Sequence, residues 1–502
     1  MEGFISDSLY TNNRNRSNSL INRKMIFRVL GVLLLVEMGM FLICAAVSWG
    51  YGEKETLTFL LTAGINTLVG GLLLLFSRGA EKRLGKRDGY CIASLAWVLF
   101  SLFGMLPFYL SGSVESITNA FFETMSGFTT TGATIMDNID AQSHGILFWR
   151  SLTQWIGGLG IVCFAIAVLP IFSEGNMQLF SAESIGVTHD KIHPKISIMT
   201  KWIWAVYVIL TVSETILLCI GGMDLFDAVC HSFSTTATGG YSTKQASVAY
   251  WNSPFIEYVI AIFMILSGVN FSLYFLCLKG KGEKILRDEE LRWFLYSVGI
   301  LTALITLALI FQNHYDIETA FRKALFQVAT AHTSCGFGTD DYTLWPPFTW
   351  MLLIFAMLAG GCTGSTSGGI KNMRLLMMTK GVRNNFKKIL HPNAVLPIRV
   401  NQQSVAPNIV MAVAIFVGFY LFFILVGWTL LLFLGVGFAE AFGTVVSSIG
   451  NVGPGLGSFG PAFSWNALPD AAKWILSFLM LIGRLEMFCV LLLFYPGFWK
   501  NR

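Results

Sequence analysis

Apolar and polar positions along this chain alternate on the length scale of a membrane. Ten predominantly apolar runs fall near 25–49, 57–77, 89–110, 146–172, 198–220, 255–278, 291–311, 348–378, 409–437 and 473–495. A helix needs about 20 apolar residues to cross about 30 Å of hydrocarbon, so each run predicts a spanning helix. The polar connections between them leave no room for an amphipathic soluble domain.

Composition agrees. A soluble domain carries about 25% charged residues, whereas this chain carries 13% charged against 54% hydrophobic and 14% aromatic residues, with positive mean hydropathy. It is read as an integral membrane protein. The first 24 residues are rich in Ser, Asn and Arg and lack a short apolar core followed by a small-residue cleavage site, so no removable signal peptide is expected.

Lys and Arg near helix ends are retained on the cytoplasmic side. Basic clusters occur at the N-terminus (Arg14, Arg16, Arg23, Lys24), in "RGAEKRLGKRDG" from Arg78, around Lys191, Lys195 and Lys201, in "KGKGEKILRDEELR" from Lys279, in "KNMRLLMMTKGVRNNFKK" from Lys371, and at Lys500 and Arg502. They follow every second apolar run, which predicts ten crossings with both termini cytoplasmic. The net charge of +5 (34 minus 29) then reports topology, and no clustered basic face supports a nucleic-acid partner. The nine cysteines contain no Cys-x-x-Cys pair and mostly lie inside apolar runs, where they serve as small hydrophobes.

Between the helices of each outer hairpin a second pattern recurs: "SITNAFFETMSGFTTTGATIMDN", "LFDAVCHSFSTTATGGYSTKQAS", "IETAFRKALFQVATAHTSCGFGTDDYT" and "FAEAFGTVVSSIGNVGPGLGSFGP". Each has apolar positions at helical spacing, such as Ala120, Phe121 and Met125, followed by small polar residues ending on glycine. The glycines that align are Gly132, Gly239, Gly336 and Gly453, separated by 107 (239 minus 132), 97 (336 minus 239) and 117 (453 minus 336) residues. A supersecondary unit repeated at that period organises the chain. The helical part is too short to span and must return to the side it came from, as a re-entrant half-helix. Non-helical backbone at membrane depth is tolerated only where it lines water or protein. Four such segments around one axis can replace the hydration shell of potassium with rings of carbonyl oxygens, and glycine supplies the backbone angles this needs. One Thr/Gly cluster alone reads as a turn; four aligned copies do not.

"AGGCTGSTSGGIK", from Ala359 to Lys371, interrupts a spanning run. It lacks the Gly-Lys-Ser/Thr of a phosphate-binding loop. Its small residues suit a helix-packing seam, while the glycines at 360, 361, 364, 368 and 369 favour unwinding. Arg484, in mid-run, is expected to face a cavity or a partner. Glu486 lies two residues away and so faces another way on a helix. Glu37 is a candidate for an interfacial position or for a helix contact, and Glu123 for a brace of its half-helix.

The motifs "FFETMSGFTTTGAT", "STTATGGYST", "GGCTGSTSGGIK" and "IGNVGPGLG" resemble the Trk/Ktr/HKT superfamily of potassium transporters, nearest its bacterial TrkH/TrkG uptake branch. The resemblance implies an all-α integral membrane protein with four repeats of helix, re-entrant pore helix, filter loop and helix around one pore. These are expected at 88–172, 197–278, 291–379 and 405–497, after a cytoplasmic tail (1–24) and two extra helices (25–80). It implies potassium coordination by backbone at Thr130, Thr131 and Gly132; Ala237, Thr238 and Gly239; Ser334, Cys335 and Gly336; and Asn451, Val452 and Gly453. In the plant branch a serine at the first glycine goes with sodium transport, so Gly132 favours potassium. Gating is assigned to the intramembrane loop 360–369 (Gly360, Gly361, Gly364, Gly368, Gly369), with Lys371 and Arg484. A homodimer in the bacterial inner membrane is implied, with a cytoplasmic TrkA-type regulatory subunit that carries the nucleotide; no covalent cofactor is expected.

The rival from another class is a secondary transporter with broken helices and alternating access. A membrane enzyme is disfavoured, since no paired carboxylates, histidine cluster or Ser/His/Asp grouping recurs.

Overall fold

The computed structural model describes residues 21–80, 85–168, 196–278, 280 and 282–500. The tail before residue 21, residues 169–172 of the fourth apolar run, Lys191, Lys195 and the segment 169–195 that joins the first two repeats lie outside these residues.

Six described helices are long and apolar enough to cross a membrane: Arg23–Gly50, Glu55–Phe76, Arg87–Leu110, Lys201–Ile220, Glu289–Asn313 and Pro407–Phe433. Two further pairs pass as bent spans, Pro254–Ser267 with Phe271–Cys277 at 94° and Asp470–Arg484 with Phe488–Phe494 at 118°. Local chemistry sets many starts. Asn22, Asp224, Asp288 and Asp316 each accept a backbone N–H of the first turn, and Pro254, Pro347 and Pro407 occupy first helical positions, where their missing N–H is harmless.

Four short helices sit between the long ones: Ile117–Phe128, Leu225–Thr236, Ile317–His332 and Phe438–Gly450. Most of their residues are buried all round, unlike an amphipathic surface helix. Each packs against the helix that follows it, and also against the second helix of the preceding unit. Leu225–Thr236 meets His144–Val168, Ile317–His332 meets Pro254–Ser267, Phe438–Gly450 meets Pro347–Ala359, and Ile117–Phe128 meets Asp470–Arg484. That last contact closes the series into a ring.

One expectation changes. Only the third unit was expected to have an interrupted second helix, yet all four do. Gly160 (φ 73, ψ 140) kinks His144–Val168, residues 268–270 break the second unit, 360–371 separate Pro347–Ala359 from Asn372–Leu390, and 485–487 break the fourth. The all-α class stands, and one short ribbon joins the helices among the described residues. Arg399–Val400 pairs antiparallel with Gln403–Ser404, across Asn401 and Gln402 at φ 48 and 66, the two positive angles of a tight hairpin turn. Asn401 Nδ2 donates to Asp288 at 2.8 Å, and its Oδ1 accepts from the Glu289 N–H at 2.9 Å, tying the ribbon to the start of Glu289–Asn313.

Candidate functional site

The four short helices end alike. At the first, Thr130 N–H bonds to Gly127 O at 2.9 Å and Thr131 N–H to Ser126 O at 2.8 Å. The same pair recurs as Thr238 to Thr235 and Gly239 to Ser234, as Ser334 to Ala331 and Cys335 to Thr330, and as Asn451 to Ser448 and Val452 to Ser447. This is a Schellman termination, which needs a left-handed residue just past the helix and normally uses glycine. Here Thr130, Thr238, Ser334 and Asn451 hold that position at φ 52, 54, 55 and 54. A left-handed L-residue costs about 1–2 kcal/mol, less for Asn, so strain is stored at Thr130, Thr238 and Ser334 in the same place of each segment, a pattern that clusters at functional sites.

Two residues later the backbone is left-handed again, at Gly132, Gly240, Gly336 and Gly453 (φ 82, 75, 99 and 105). This corrects the register of the second segment by one residue. The counterpart of Gly132 is Gly240, not Gly239, and Ala237 corresponds to Thr129. The Gly-Gly pair offers two candidates, and only the backbone angle distinguishes them.

The segments interlock in cyclic order. A Cβ on Gly132 would overlap Gly239 O, one on Gly240 would overlap Cys335 O, one on Gly336 would overlap Val452 O, and one on Gly453 would lie 2.7 Å from Thr131 O. The carbonyls of Thr131, Gly239, Cys335 and Val452 thus form one closed set, each against the glycine of a neighbouring segment. Asn451 Nδ2 adds a bond to Thr131 Oγ1 at 3.0 Å.

The set is braced from behind. Glu123, fully buried, accepts from Ile135 N–H at 2.9 Å, from Thr134 Oγ1 at 3.0 Å and from Arg150 Nε at 2.8 Å. Arg150 also donates to Ser242 O at 3.0 Å and stacks 4.1 Å from the Tyr241 ring centre. Glu123 therefore holds its own segment and, through Arg150, the second one. Glu37 is buried between the first two helices and accepts from Asn66 at 2.9 Å.

Directly beneath lies the loop 360–371. Thr366 Oγ1 donates to Thr236 O at 3.1 Å, Gly368 N–H to Ser334 Oγ at 2.5 Å, and a Cβ on Gly368 would overlap Gly450 O. Cys362 N–H bonds to Gly268 O at 2.8 Å, and Gly364 O accepts from Phe271 N–H at 3.1 Å, which joins this loop to the break of the second unit. Gly361 N–H bonds Ser367 Oγ at 3.0 Å, Gly360 and Gly369 are left-handed at φ 68 and 74, and the Lys371 ammonium donates to Ser367 O. Glu290, buried at the head of Glu289–Asn313, accepts Thr363 N–H at 2.6 Å and Met373 N–H at 3.0 Å, tying the loop to the start of the helix that follows it.

Arg484 donates to Thr366 O at 2.7 Å and to Gly157 O and Gly158 O at 2.6 and 2.9 Å. Glu486 is engaged instead by Arg374 at 2.5 Å. Residues at or beside the helix breaks of the four units line a cavity of about 150 Å³, among them Gly158, Phe271, Thr366, Lys371, Gly483 and Arg484. The C-terminal ends of short helices carry partial negative charge. A cation is the chemically matched ligand of the closed carbonyl set that lies just past those ends.

Of the residues singled out from sequence, the four segment groups and the loop with Lys371 and Arg484 come together as one assembly. Gly240, Glu290 and the Arg374–Glu486 pair were missed. Gly240 had a signal, the adjacent glycine; the others had none, because their partners are backbone groups or residues more than a hundred positions away.

A family model described as TrkH, cation transport protein, matches residues 58–500. The chain is similar to the Trk system potassium uptake protein TrkH of Salmonella typhimurium, 40% identical over 480 residues, 95% of this chain and 99% of that one. It is 33% identical to the Trk system potassium uptake protein TrkG of Escherichia coli over 456 residues, 90% of this chain and 93% of the relative. Its fold is similar to the crystal structure of the potassium transporter TrkH from Vibrio parahaemolyticus, with a TM-score of 0.86 and 34% identity, covering 95% and 99% of the two chains.

Proposed function

The chain belongs to the TrkH family of cation transport proteins, and on that premise we propose that it takes up potassium through the carbonyl ring formed by its four interlocked segments. It is a multi-pass membrane transporter and not an enzyme. One observation carries the reading: the alternation of left-handed residues at 130/132, 238/240, 334/336 and 451/453, repeated four times and closed cyclically.

The filter then comprises Thr130, Thr131 and Gly132; Thr238, Gly239 and Gly240; Ser334, Cys335 and Gly336; and Asn451, Val452 and Gly453. Carbonyl oxygens there substitute for water around a dehydrated ion. The full Thr-Val-Gly-Tyr-Gly run of potassium channels is absent from each segment, so coordination uses fewer layers and selectivity is less strict. Four units of helix, re-entrant pore helix, filter loop and helix surround the pore, with the two N-terminal helices outside it. Below the filter the loop 360–369 closes the path, held by Glu290 and Arg484, and its displacement opens it. The assembly is a homodimer in a bacterial inner membrane, with both termini cytoplasmic and a nucleotide-binding regulatory subunit of the Trk system on that side.

A second reading, alternating access, is favoured by the four broken helices, since discontinuous helices mark many carriers. Purified protein in liposomes under a potassium gradient separates them. Single-channel currents are expected; flux that saturates at carrier rates without such currents overturns the channel-like account.

A further inference from the structure

The four ring carbonyls do not have equivalent surroundings. Gln154 is fully buried on His144–Val168, one turn beyond Arg150. Its Nε2 donates to Gly239 O at 2.7 Å, and its Oε1 accepts from Tyr241 N–H at 3.0 Å. One amide therefore straddles Gly240, and only this orientation of the amide satisfies both bonds. The same group occupies the space a side chain at position 239 would need. Among the described residues no side chain donates to the carbonyls of Thr131, Cys335 or Val452.

We propose that Gln154 is a specificity-determining positioning residue: by bonding the Gly239 carbonyl and the Tyr241 amide together, it sets the field strength and the stiffness of one quarter of the ring in favour of potassium over sodium. The inference rests on the filter reading above. A carbonyl that already accepts a donor has less electron density to offer a cation, and it is held against moving inward. Sodium, the smaller and more strongly hydrated ion, needs both a stronger field and a closer approach. Whether selectivity arises from ring size or from field strength, the Gln154 amide acts in the same direction.

The test uses the full-length protein in liposomes, with initial rates of rubidium and of sodium uptake compared at equal protein. Their ratio does not depend on how much protein folds. Gln154→Met keeps length and removes both bonds; Gln154→Glu keeps the acceptor for Tyr241 and removes the donor to Gly239. Both are expected to lower the ratio about fivefold, the net worth of roughly one hydrogen bond. Gly132→Ser serves as the reference for the filter itself. If Gly132→Ser lowers the ratio and neither Gln154 variant does, the proposal fails while the filter reading stands. If none of the three changes it, the filter reading fails and takes the proposal with it. Should Gln154→Met not accumulate, the isosteric Gln154→Glu decides alone.

Discussion

Arg484 lies 2.7 Å from the carbonyl of Thr366, and its other Nη reaches the carbonyls of Gly157 and Gly158 at 2.6 and 2.9 Å. One guanidinium from the fourth unit thus pins the loop of the third unit to the second helix of the first. Bonds from a charged donor are each worth about 1.5–3 kcal/mol, and a bare charge beside backbone carbonyls within a span is stable only because those carbonyls are turned toward it. Arg484→Gln retains the shape of a polar side chain but cannot bridge both sites. Rubidium uptake into liposomes without any partner subunit should rise about tenfold, the equivalent of about 1.4 kcal/mol lost from the closed state. Unchanged or reduced uptake at equal protein would show that Arg484 does not hold the gate.

The loop has a second fastening at Glu290, whose carboxylate takes the N–H groups of Thr363, inside the glycine-rich stretch, and of Met373, just past it. Glu290→Leu leaves the buried Met373 amide unbonded, which costs about 1–3 kcal/mol, and frees the half-buried Thr363 amide, so the loop can recover the cost by moving toward water. Uptake should therefore increase in Glu290→Leu and increase further when residues 362–367 are deleted. A deletion that only abolishes transport would mean that the glycines serve helix packing.

Much of this assembly is legible in the residues. Ala120, Phe121 and Met125 mark a short buried helix by their spacing, and the Thr-Thr-Thr-Gly that follows marks its end. The five glycines between 360 and 369 announce a break, since each lowers helix stability by about 1 kcal/mol relative to alanine. The fourth unit breaks at Leu485, Glu486 and Met487, where no residue type signals it. There Glu486 and Met487 adopt φ 55 and 53 while the Glu486 carboxylate reaches Arg374 from another unit, and a tertiary contact outweighs local preference. The targets of Arg484 were hidden for a related reason: a backbone carbonyl has no letter in the sequence.

The register at the second segment yields its own prediction. Gly240 sits at φ 75 with Cys335 O where a Cβ would be, so Gly240→Ser should reduce the preference for potassium over sodium, as is expected of Gly132→Ser. Growth of potassium-uptake-deficient cells at low potassium, with and without added sodium, provides the readout alongside liposome uptake. Wild-type selectivity in Gly240→Ser would return the ring position to Gly239.

The buried ion pair behind the first two segments should act on stability. Arg150 and Glu123 have side chains 1% and 0% exposed, at 2.8 Å. Removing one member of such a pair leaves an uncompensated buried charge and costs about 3–5 kcal/mol, whereas replacing both members is often close to neutral. Arg150→Met is expected to lower the unfolding midpoint of the detergent-purified protein markedly, and Glu123→Gln combined with Arg150→Met should recover most of that loss. The recovery will be incomplete, because Glu123 also accepts from Ile135 N–H and Thr134, and Arg150 also donates to Ser242 O. If the double variant is no more stable than Arg150→Met alone, the bonds to the backbone, and not the pairing of charges, hold the two segments in place.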